Sequence, residues 1–276
     1  SLLILVIFTK LLFSSKIIYQ DCNEPLDPPY HGTIFLDPNI ITNLDKSSLE
    51  KIKFFGKEER VMFDRRYDDW INVIPFIFRA YFSDNLTIEV QVNPEFGTLK
   101  DAENVALKYC MPVGQLPTSL RLNVETIWIH RGMKAFGGGN QNILIHTDWS
   151  EMHYETQGIL EETLFHEATH TSLDGIFSKD GNWINAQKED CNFISTYALE
   201  NPEREDVAES FLPFFAIKFF PNRISASMKK TIIETMPARI RYFNDKTLNY
   251  YPLIKCIRKY NFKNSKKRLG KKLYNY

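Results

Sequence analysis

The sequence predicts an α+β protein with a mixed sheet, because strand-like and helix-like segments follow one another along the chain. Residues 87–92 alternate apolar and polar side chains, which is typical of a half-buried strand. Residues 99–110 instead place apolar side chains on one helical stripe. A composition of 43% hydrophobic and 25% charged residues is that of a globular protein and excludes a disordered chain.

The N-terminal elements are predicted to be extended. Proline-rich residues 21–43 form a lead-in that contains one short strand at 33–36. Residues 61–63 and 71–82 are rich in β-branched and aromatic side chains, which favours strands. The strand at 87–92 then ends at a turn.

The middle of the chain is predicted to alternate between helix and strand. The helix at 99–110 would back the sheet, and strands follow at 126–130 and 142–146. Residues 136–140, with three consecutive glycines, are expected to form a flexible turn.

The C-terminal half is predicted to be helical. A helix over 157–174 would end at Gly175, taken as a left-handed C-cap. Further helices are expected over 185–193, 204–220 and 225–236.

Domain organisation follows from these elements and from the two ends of the chain. A β-rich part, 16–97, precedes a part at 98–254 that carries the motif described next, although one continuous domain is an equal alternative. The apolar run in residues 1–15 is too short to span a bilayer and fits a signal peptide, although Lys10 interrupts it; a buried strand or helix is the competing interpretation. With the glycosylation sequon at Asn85, it predicts a secreted protein.

The basic tail, residues 255–276, contains nine Lys or Arg and no Asp or Glu. Such a tail can bind nucleic acid or acidic glycans. Since no nucleic-acid-binding motif accompanies it, we expect a solvated end and no nucleic-acid partner. The oligomeric state is left open.

The four cysteines lie far apart and form no CxxC pair, so they do not resemble a zinc finger. In a secreted chain they permit two disulfides with three connectivities. They are Cys22, Cys110, Cys191 and Cys256.

The segment His166-Glu167-Ala168-Thr169-His170 places two imidazoles four residues apart, with a carboxylate directly after the first. Residues i and i+4 of a helix lie on one face, so both imidazoles can reach one metal ion. Zinc hydrolases use this HExxH pattern, in which the glutamate takes a proton from a zinc-activated water. The motif therefore predicts His166 and His170 as zinc ligands and Glu167 as general base.

A third ligand is needed, because catalytic zinc usually has three protein ligands and a water. Asp174 lies on the same helical face as His170, where orienting an imidazole is favoured over direct ligation. Ile176 stands where a metzincin has its third histidine, which excludes that pattern. His130, His146 and His153 are interpreted as surface or packing residues.

Carboxylates further along the chain are better candidates. Glu205 and Glu209 are four residues apart, so they share one face of a helix that can begin after Asn201-Pro202. Asp174 and Asp206 remain alternatives.

This segment resembles the gluzincin peptidases, most closely the lethal-factor type, over residues 166–211. In that type a tyrosine precedes a segment of the form E-x-x-A-E-x-F, and here Tyr197 precedes Glu205-Asp206-Val207-Ala208-Glu209-Ser210-Phe211. The resemblance implies that Glu205 is the third ligand, that Glu209 supports a ligand histidine, and that Tyr197 stabilises the oxyanion.

The resemblance also implies a zincin-like metallopeptidase fold: a mixed sheet with a backing helix, the HExxH helix and a helical C-terminal part. In that fold an edge strand lines the cleft and can hold an extended peptide by main-chain hydrogen bonds, and the strand at 142–146 is the candidate for that edge. The implied activity is that of a secreted zinc metalloendopeptidase acting on a peptide or protein substrate. The alternative is a catalytically inactive zinc-binding protein that serves as a binding or structural module.

Overall fold

The structure, a computed structural model, describes residues 27–36 and 39–254. It confirms an α+β fold built on a mixed sheet with helices. No helix within the described ranges has the length and apolar character needed to cross a membrane. The expected signal peptide, the basic tail, Cys22 and Cys256 lie outside the described residues.

The main sheet has six strands in the order β1-β4-β5-β6-β8-β7. Strands β5, β6 and β8 run parallel, whereas β1, β4 and β7 each pair antiparallel with their neighbours. The separate hairpin consists of β2 and β3. The strands are β1 Leu49–Lys57, β2 Arg60–Asp64, β3 Asp69–Val73, β4 Phe76–Phe82, β5 Thr87–Val92, β6 Thr126–His130, β7 Gly137–Gly139 and β8 Asn142–His146.

The helices lie mainly in the second half of the chain, as predicted. Two π-helical turns, Ser150–Glu155 and His170–Asp174, interrupt them, and a short 3-10 turn covers Pro94–Phe96. The helices are α1 Leu99–Val113, α2 Thr118–Arg121, α3 Thr147–Trp149, α4 Leu160–Thr169, α5 Gly175–Phe177, α6 Gly181–Asp190, α7 Thr196–Glu200, α8 Asp206–Phe219, α9 Ala226–Thr235 and α10 Pro237–Asn244.

One large hydrophobic core joins the sheet to the helices. It contains Phe78 and Val90 from the sheet and Ala106 from α1, so it extends to both sides of the suggested boundary near residue 97. Within it, the ring of Phe165 on α4 packs against Phe211 and Phe215 on α8, at centroid distances of 5.5 and 5.2 Å. This aromatic contact holds α4 and α8 together.

The opposite face of the sheet is covered by the hairpin β2–β3. Met62 of the hairpin packs with Trp128 of β6 and Leu144 of β8 in a small second core. The ring of Trp70 adds an edge-on contact to Trp128 at 5.5 Å. The hairpin turn, residues 65–68, is thereby positioned beside the end of the sheet that β7 forms.

The edge strand was predicted wrongly. Strand β8 lies between β6 and β7, so the edge is β7, which forms from the glycines expected in a flexible turn. A Cβ on Gly138 would lie 2.0 Å from the backbone oxygen of Glu167. Only glycine therefore lets this strand approach α4 so closely.

Two local predictions were also wrong. Residues 33–36 form no strand; the backbone N–H groups of Ile34 and Leu36 donate instead to the carboxylates of Glu209 and Glu162, both at 2.9 Å. Gly175 is not a left-handed cap, because its φ is −57° and the chain continues into α5.

The cysteines do not all pair. Cys110 is buried and carries a free thiol, so two disulfides among the four cysteines are not formed. Burial raises the pKa of this thiol to about 12, which leaves it inert as a thiolate nucleophile.

Candidate metal centre

Helix α4 brings the two motif histidines to one face. Its apolar residues Leu164, Phe165 and Ala168 are fully buried in the main core. The opposite side of the helix then presents His166 and His170, whose Nε2 atoms lie 3.0 Å apart. The helical spacing read from the sequence therefore does place both imidazoles together.

Glu205 reaches the histidines from the residue just before α8. Its backbone N–H donates to Asn201 at 2.8 Å, and Glu209 N–H donates to its carbonyl at 2.9 Å, which fixes the start of the helix. Glu205 Oε2 lies 3.0 Å from His170 Nε2 and 3.5 Å from His166 Nε2. The packing of α8 against α4 brings the Glu205 carboxylate this close to the two imidazoles.

These three atoms have the spacing of zinc ligands. Ligand atoms about 2.0–2.1 Å from a tetrahedral zinc stand about 3.3 Å from one another, and the observed separations are 3.0, 3.0 and 3.5 Å. Glu205 Oε2 is buried and faces both imidazoles, and within the described residues no donor meets it with standard hydrogen-bond geometry. The donor set, two neutral nitrogens and one carboxylate, fits a divalent cation such as Zn²⁺.

Each histidine also contacts a carboxylate on its far side. His170 Nδ1 lies 2.5 Å from Asp174 Oδ2, and His166 Nδ1 lies 3.5 Å from Glu209 Oε1. The π-helical turn that begins at His170 carries Asp174 to this position. A carboxylate behind a ligating histidine fixes the ring orientation and its tautomer.

The other candidates for third ligand point elsewhere. Asp206 Oδ2 accepts from Arg239 Nε and from Gln187 Nε2, both at 2.8 Å, and is buried in this ion pair. Asp174 and Glu209 contact the Nδ1 atoms rather than the Nε2 atoms. Within the described residues, the group whose ligand atoms lie within 4.8 Å of one another is His166, His170 and Glu205.

A cleft of about 470 Å³ opens over the three residues. Glu167 and Tyr197 both line it. The Glu167 carboxylate has no hydrogen-bond or ion-pair partner among the described side chains, so it is free to contact water in the cleft. The Tyr197 hydroxyl donates to Glu205 Oε1 at 3.0 Å.

The electrostatic field of the site favours a positive charge between the ligands. Burial opposes ionisation of Glu205, yet the contacts with His166 and His170 hold its pKa well below the usual range. Burial likewise opposes protonation of His170, but its contacts with the carboxylates of Asp174 and Glu205 raise its pKa to about 10. The same negative surroundings that stabilise a proton on His170 would stabilise a metal cation in its place.

Three features of the cleft were missed from the sequence. Thr33 and Phe35 of the lead-in form part of its wall, and Arg65 of the hairpin turn lies at its rim. No local pattern could have indicated them, because each reaches the cleft through long-range packing.

Glu162, the buried carboxylate that anchors the lead-in, was also missed, although its spacing from His166 could have indicated it. Glu162 stands four residues before His166, on the face that carries both histidines. Its oxygens accept the backbone N–H groups of Leu36 and Ile40, both at 2.9 Å. Burial raises the pKa of the Glu162 carboxyl to about 7, although the two hydrogen bonds act to lower it.

Three of the other histidines, His130, His146 and His153, are packing residues. His130 and His146, paired across β6 and β8, are fully buried and stack at a centroid distance of 5.4 Å. Burial lowers the pKa of His130 to about 4. His153 packs against Trp149, with ring centroids 4.0 Å apart.

Comparison of the chain with protein-family models, with curated proteins and with solved structures finds no match. The geometry of the site and the HExxH motif are therefore the features that indicate a function.

Proposed function

We propose that this protein is a zinc-dependent peptidase that hydrolyses peptide bonds, with zinc held by His166, His170 and Glu205. The observation that carries the proposal is the spacing of the three ligand atoms, 3.0 to 3.5 Å, which fits one tetrahedral ion. The resemblance of residues 166–211 to gluzincin peptidases agrees with this ligand set. Residues 1–15 and the sequon at Asn85, in an exposed turn, favour secretion.

Bound zinc would supply a Lewis acid that polarises the scissile carbonyl and lowers the pKa of an attacking water toward about 7. Glu167 has a free carboxylate in the cleft, so it takes the proton from this water and passes it to the leaving amine. Tyr197 donates a hydrogen bond toward the oxyanion once its contact with Glu205 is exchanged. Asp174 and Glu209 hold the two imidazoles in position.

The zincin-like architecture is part of this proposal. An antiparallel edge strand, β7, borders the cleft directly above α4. Such an edge can hold an extended peptide by main-chain hydrogen bonds. This arrangement favours a peptide substrate over a small molecule.

Metal content measured by mass spectrometry tests the ligand set. We expect near-stoichiometric zinc in the wild type and much less in Glu205→Ala, because the site loses its only carboxylate ligand. Glu203→Ala is the matched control, since Glu203 is exposed two residues earlier. Wild-type protein without zinc would overturn the proposal.

Glu167→Gln separates the peptidase from the inactive zinc-binding module. The variant should keep its zinc and lose turnover of a peptide library, because Gln cannot accept the proton. A wild type that binds zinc and cleaves no peptide would favour the binding module instead.

A further inference from the structure

Arg65 is a cation in the cleft that has no carboxylate partner among the residues that the structure describes. It lies in the turn of the hairpin β2–β3, is half-buried and lines the cleft. Its Nη1 donates to the carbonyls of Ala135, at 3.1 Å, and Phe136. Within the described part of the chain no carboxylate pairs with it, whereas the adjacent Arg66 pairs with both Asp64 and Glu95.

The two carbonyls hold the guanidinium in a fixed orientation. A half-buried, unpaired charge is costly, and two backbone acceptors satisfy only part of its hydrogen-bonding capacity. The planar fork of an arginine binds a carboxylate through two parallel hydrogen bonds. Arg65 is therefore a preformed carboxylate-binding group.

The position of Arg65 beside β7 determines which residues of a bound peptide it can contact. Arg65 Nη2 lies 2.8 Å from the position of a Cβ on Gly137, and the next residue, Gly138, contacts Glu167 on the other face. A peptide that pairs antiparallel with β7 runs in the opposite direction to it. Residues of the peptide C-terminal to the bond near Glu167 then lie toward Gly137 and Arg65.

Arg65 also limits how far such a peptide can pair. The carbonyls of Ala135 and Phe136, which precede β7, are already occupied by its guanidinium. Strand pairing by the substrate would have to compete with the guanidinium for these acceptors, so the peptide meets a positive charge there instead of a free continuing edge.

We propose that Arg65 binds a carboxylate of the substrate on the leaving-group side of the scissile bond, which makes substrates with a carboxylate there the preferred class. This inference rests on the proposed peptidase function. The carboxylate is supplied either by a free peptide C-terminus or by an Asp or Glu side chain.

Binding to the inactive Glu167→Gln protein, loaded with zinc, tests the inference without turnover. Three short peptides of one core sequence would be compared by fluorescence anisotropy: one with a free C-terminus, one with a C-terminal amide, and one amidated with a Glu on the leaving-group side. We expect the plain amide to bind about tenfold to a hundredfold more weakly than the better carboxylate peptide. Tighter binding of the peptide with a free C-terminus would identify the terminal carboxylate as the group that Arg65 binds. Tighter binding of the amidated Glu peptide would identify an acidic side chain.

Arg65→Gln in the same background should reduce that preference to about twofold or less, since a neutral side chain gives no ion pair. Arg65→Lys should keep only part of it, because the planar fork is lost. Arg79→Gln is the control, because Arg79 is exposed on β4 outside the cleft and should leave the preference unchanged.

Gly137→Ala provides a second variant that keeps the arginine. The added Cβ would displace the flexible guanidinium of Arg65. Gly137→Ala should therefore reduce the preference for carboxylate peptides when Arg65 is present and should have no further effect in the Arg65→Gln background. Equal binding of all three peptides by the Arg65 protein would overturn this inference alone. Absence of zinc from the wild type would remove the peptidase function and this inference with it.

Discussion

At the residue scale, the candidate metal site depends on side chains outside the proposed ligand set. Asp174 and Glu209 each contact the Nδ1 atom of one histidine and leave its Nε2 facing Glu205. Glu209 is fully buried, and its second oxygen is held by Ser195 Oγ at 2.6 Å. The three ligand atoms are therefore preorganised by a surrounding set of carboxylates.

Asp174→Asn should weaken zinc binding about tenfold to a hundredfold, because the amide can no longer fix the tautomer and orientation of His170 as an anion does. Competition with a fluorescent zinc chelator measures the change. Asp245→Asn, at an exposed position, is the control and should bind zinc as the wild type does. Equal zinc affinity in all three proteins would exclude a positioning role for Asp174.

The sequence could predict His166, Glu167 and His170 because their relation is local to one helix turn. Spacing alone made Glu205 one of several candidate carboxylates and the resemblance singled it out, since the packing of α8 on α4 is a long-range contact. Arg65 gave no signal at all. Its place in the cleft follows from the way the hairpin lies on the sheet, which no spacing in the sequence encodes.

At the element scale, the contact between β7 and α4 sets the depth of the cleft. The side chain of Thr171, in the π-helical turn after α4, joins the two by accepting from Gly139 N at 2.8 Å and lying 3.0 Å from Glu167 O, to which it can donate. Gly138 has no room for a side chain against the backbone of Glu167. The edge strand is thereby held directly against the residue proposed as general base.

Gly138→Ala should push β7 away from α4, because a Cβ there would lie 2.0 Å from a backbone oxygen that cannot rotate aside. We expect the free energy of unfolding to fall by about 1–3 kcal/mol. The rate of peptide cleavage should fall by more than the loss of folded protein explains. Urea unfolding and peptide cleavage would be measured in parallel. Gly181→Ala, which has open space around its Cβ, is the control and should change neither appreciably.

Glu162→Gln tests the anchor of the lead-in. A glutamine offers only one oxygen for the two N–H groups of Leu36 and Ile40, so one buried donor loses its acceptor. We expect destabilisation of about 1–3 kcal/mol, measured by urea unfolding. An increase in proteolysis near Phe35 with zinc binding retained would agree with local release of this segment, whereas unchanged stability would contradict the anchoring role.

Strand and helix prediction succeeded where the pattern was local and clean. The strands β5, β6 and β8 begin and end where the sequence indicated. Strand β7 was missed because glycine has low strand propensity, and here it is selected by close approach to α4. Strand β1 was missed because most of its side chains are exposed at the sheet edge, so it has no clear alternation.

At the scale of the whole molecule, stability should depend on pH through groups buried on the hairpin side of the sheet. His130 is fully buried beside His146, and burial lowers its pKa to about 4, below the unfolded value of 6.5. The stability from keeping this ring neutral is therefore fully present above about pH 6.5. It is lost as the pH falls toward about 4.

The wild type should lose about 2 kcal/mol of this contribution between pH 7 and pH 5. His130→Gln cannot titrate, so its free energy of unfolding should fall less over the same interval, even if it starts lower. Urea unfolding curves at the two pH values give the comparison. An equal fall in both proteins would mean that other groups dominate the acid response.

The anchoring of the lead-in also has a consequence for the order in which the protein matures. Ile34, Leu36 and Ile40 are held by carboxylates 175, 126 and 122 residues further along the chain. Contacts of such separation form late in folding, because a long loop must close first. A nascent chain that has just completed the HExxH helix still lacks Glu205 and Glu209, so the lead-in cannot yet close over the cleft. Under the proposed peptidase function, hydrolysis would begin only after Glu205 and Glu209 had been synthesised and the lead-in had folded onto Glu209, so the nascent chain would not cleave its neighbours.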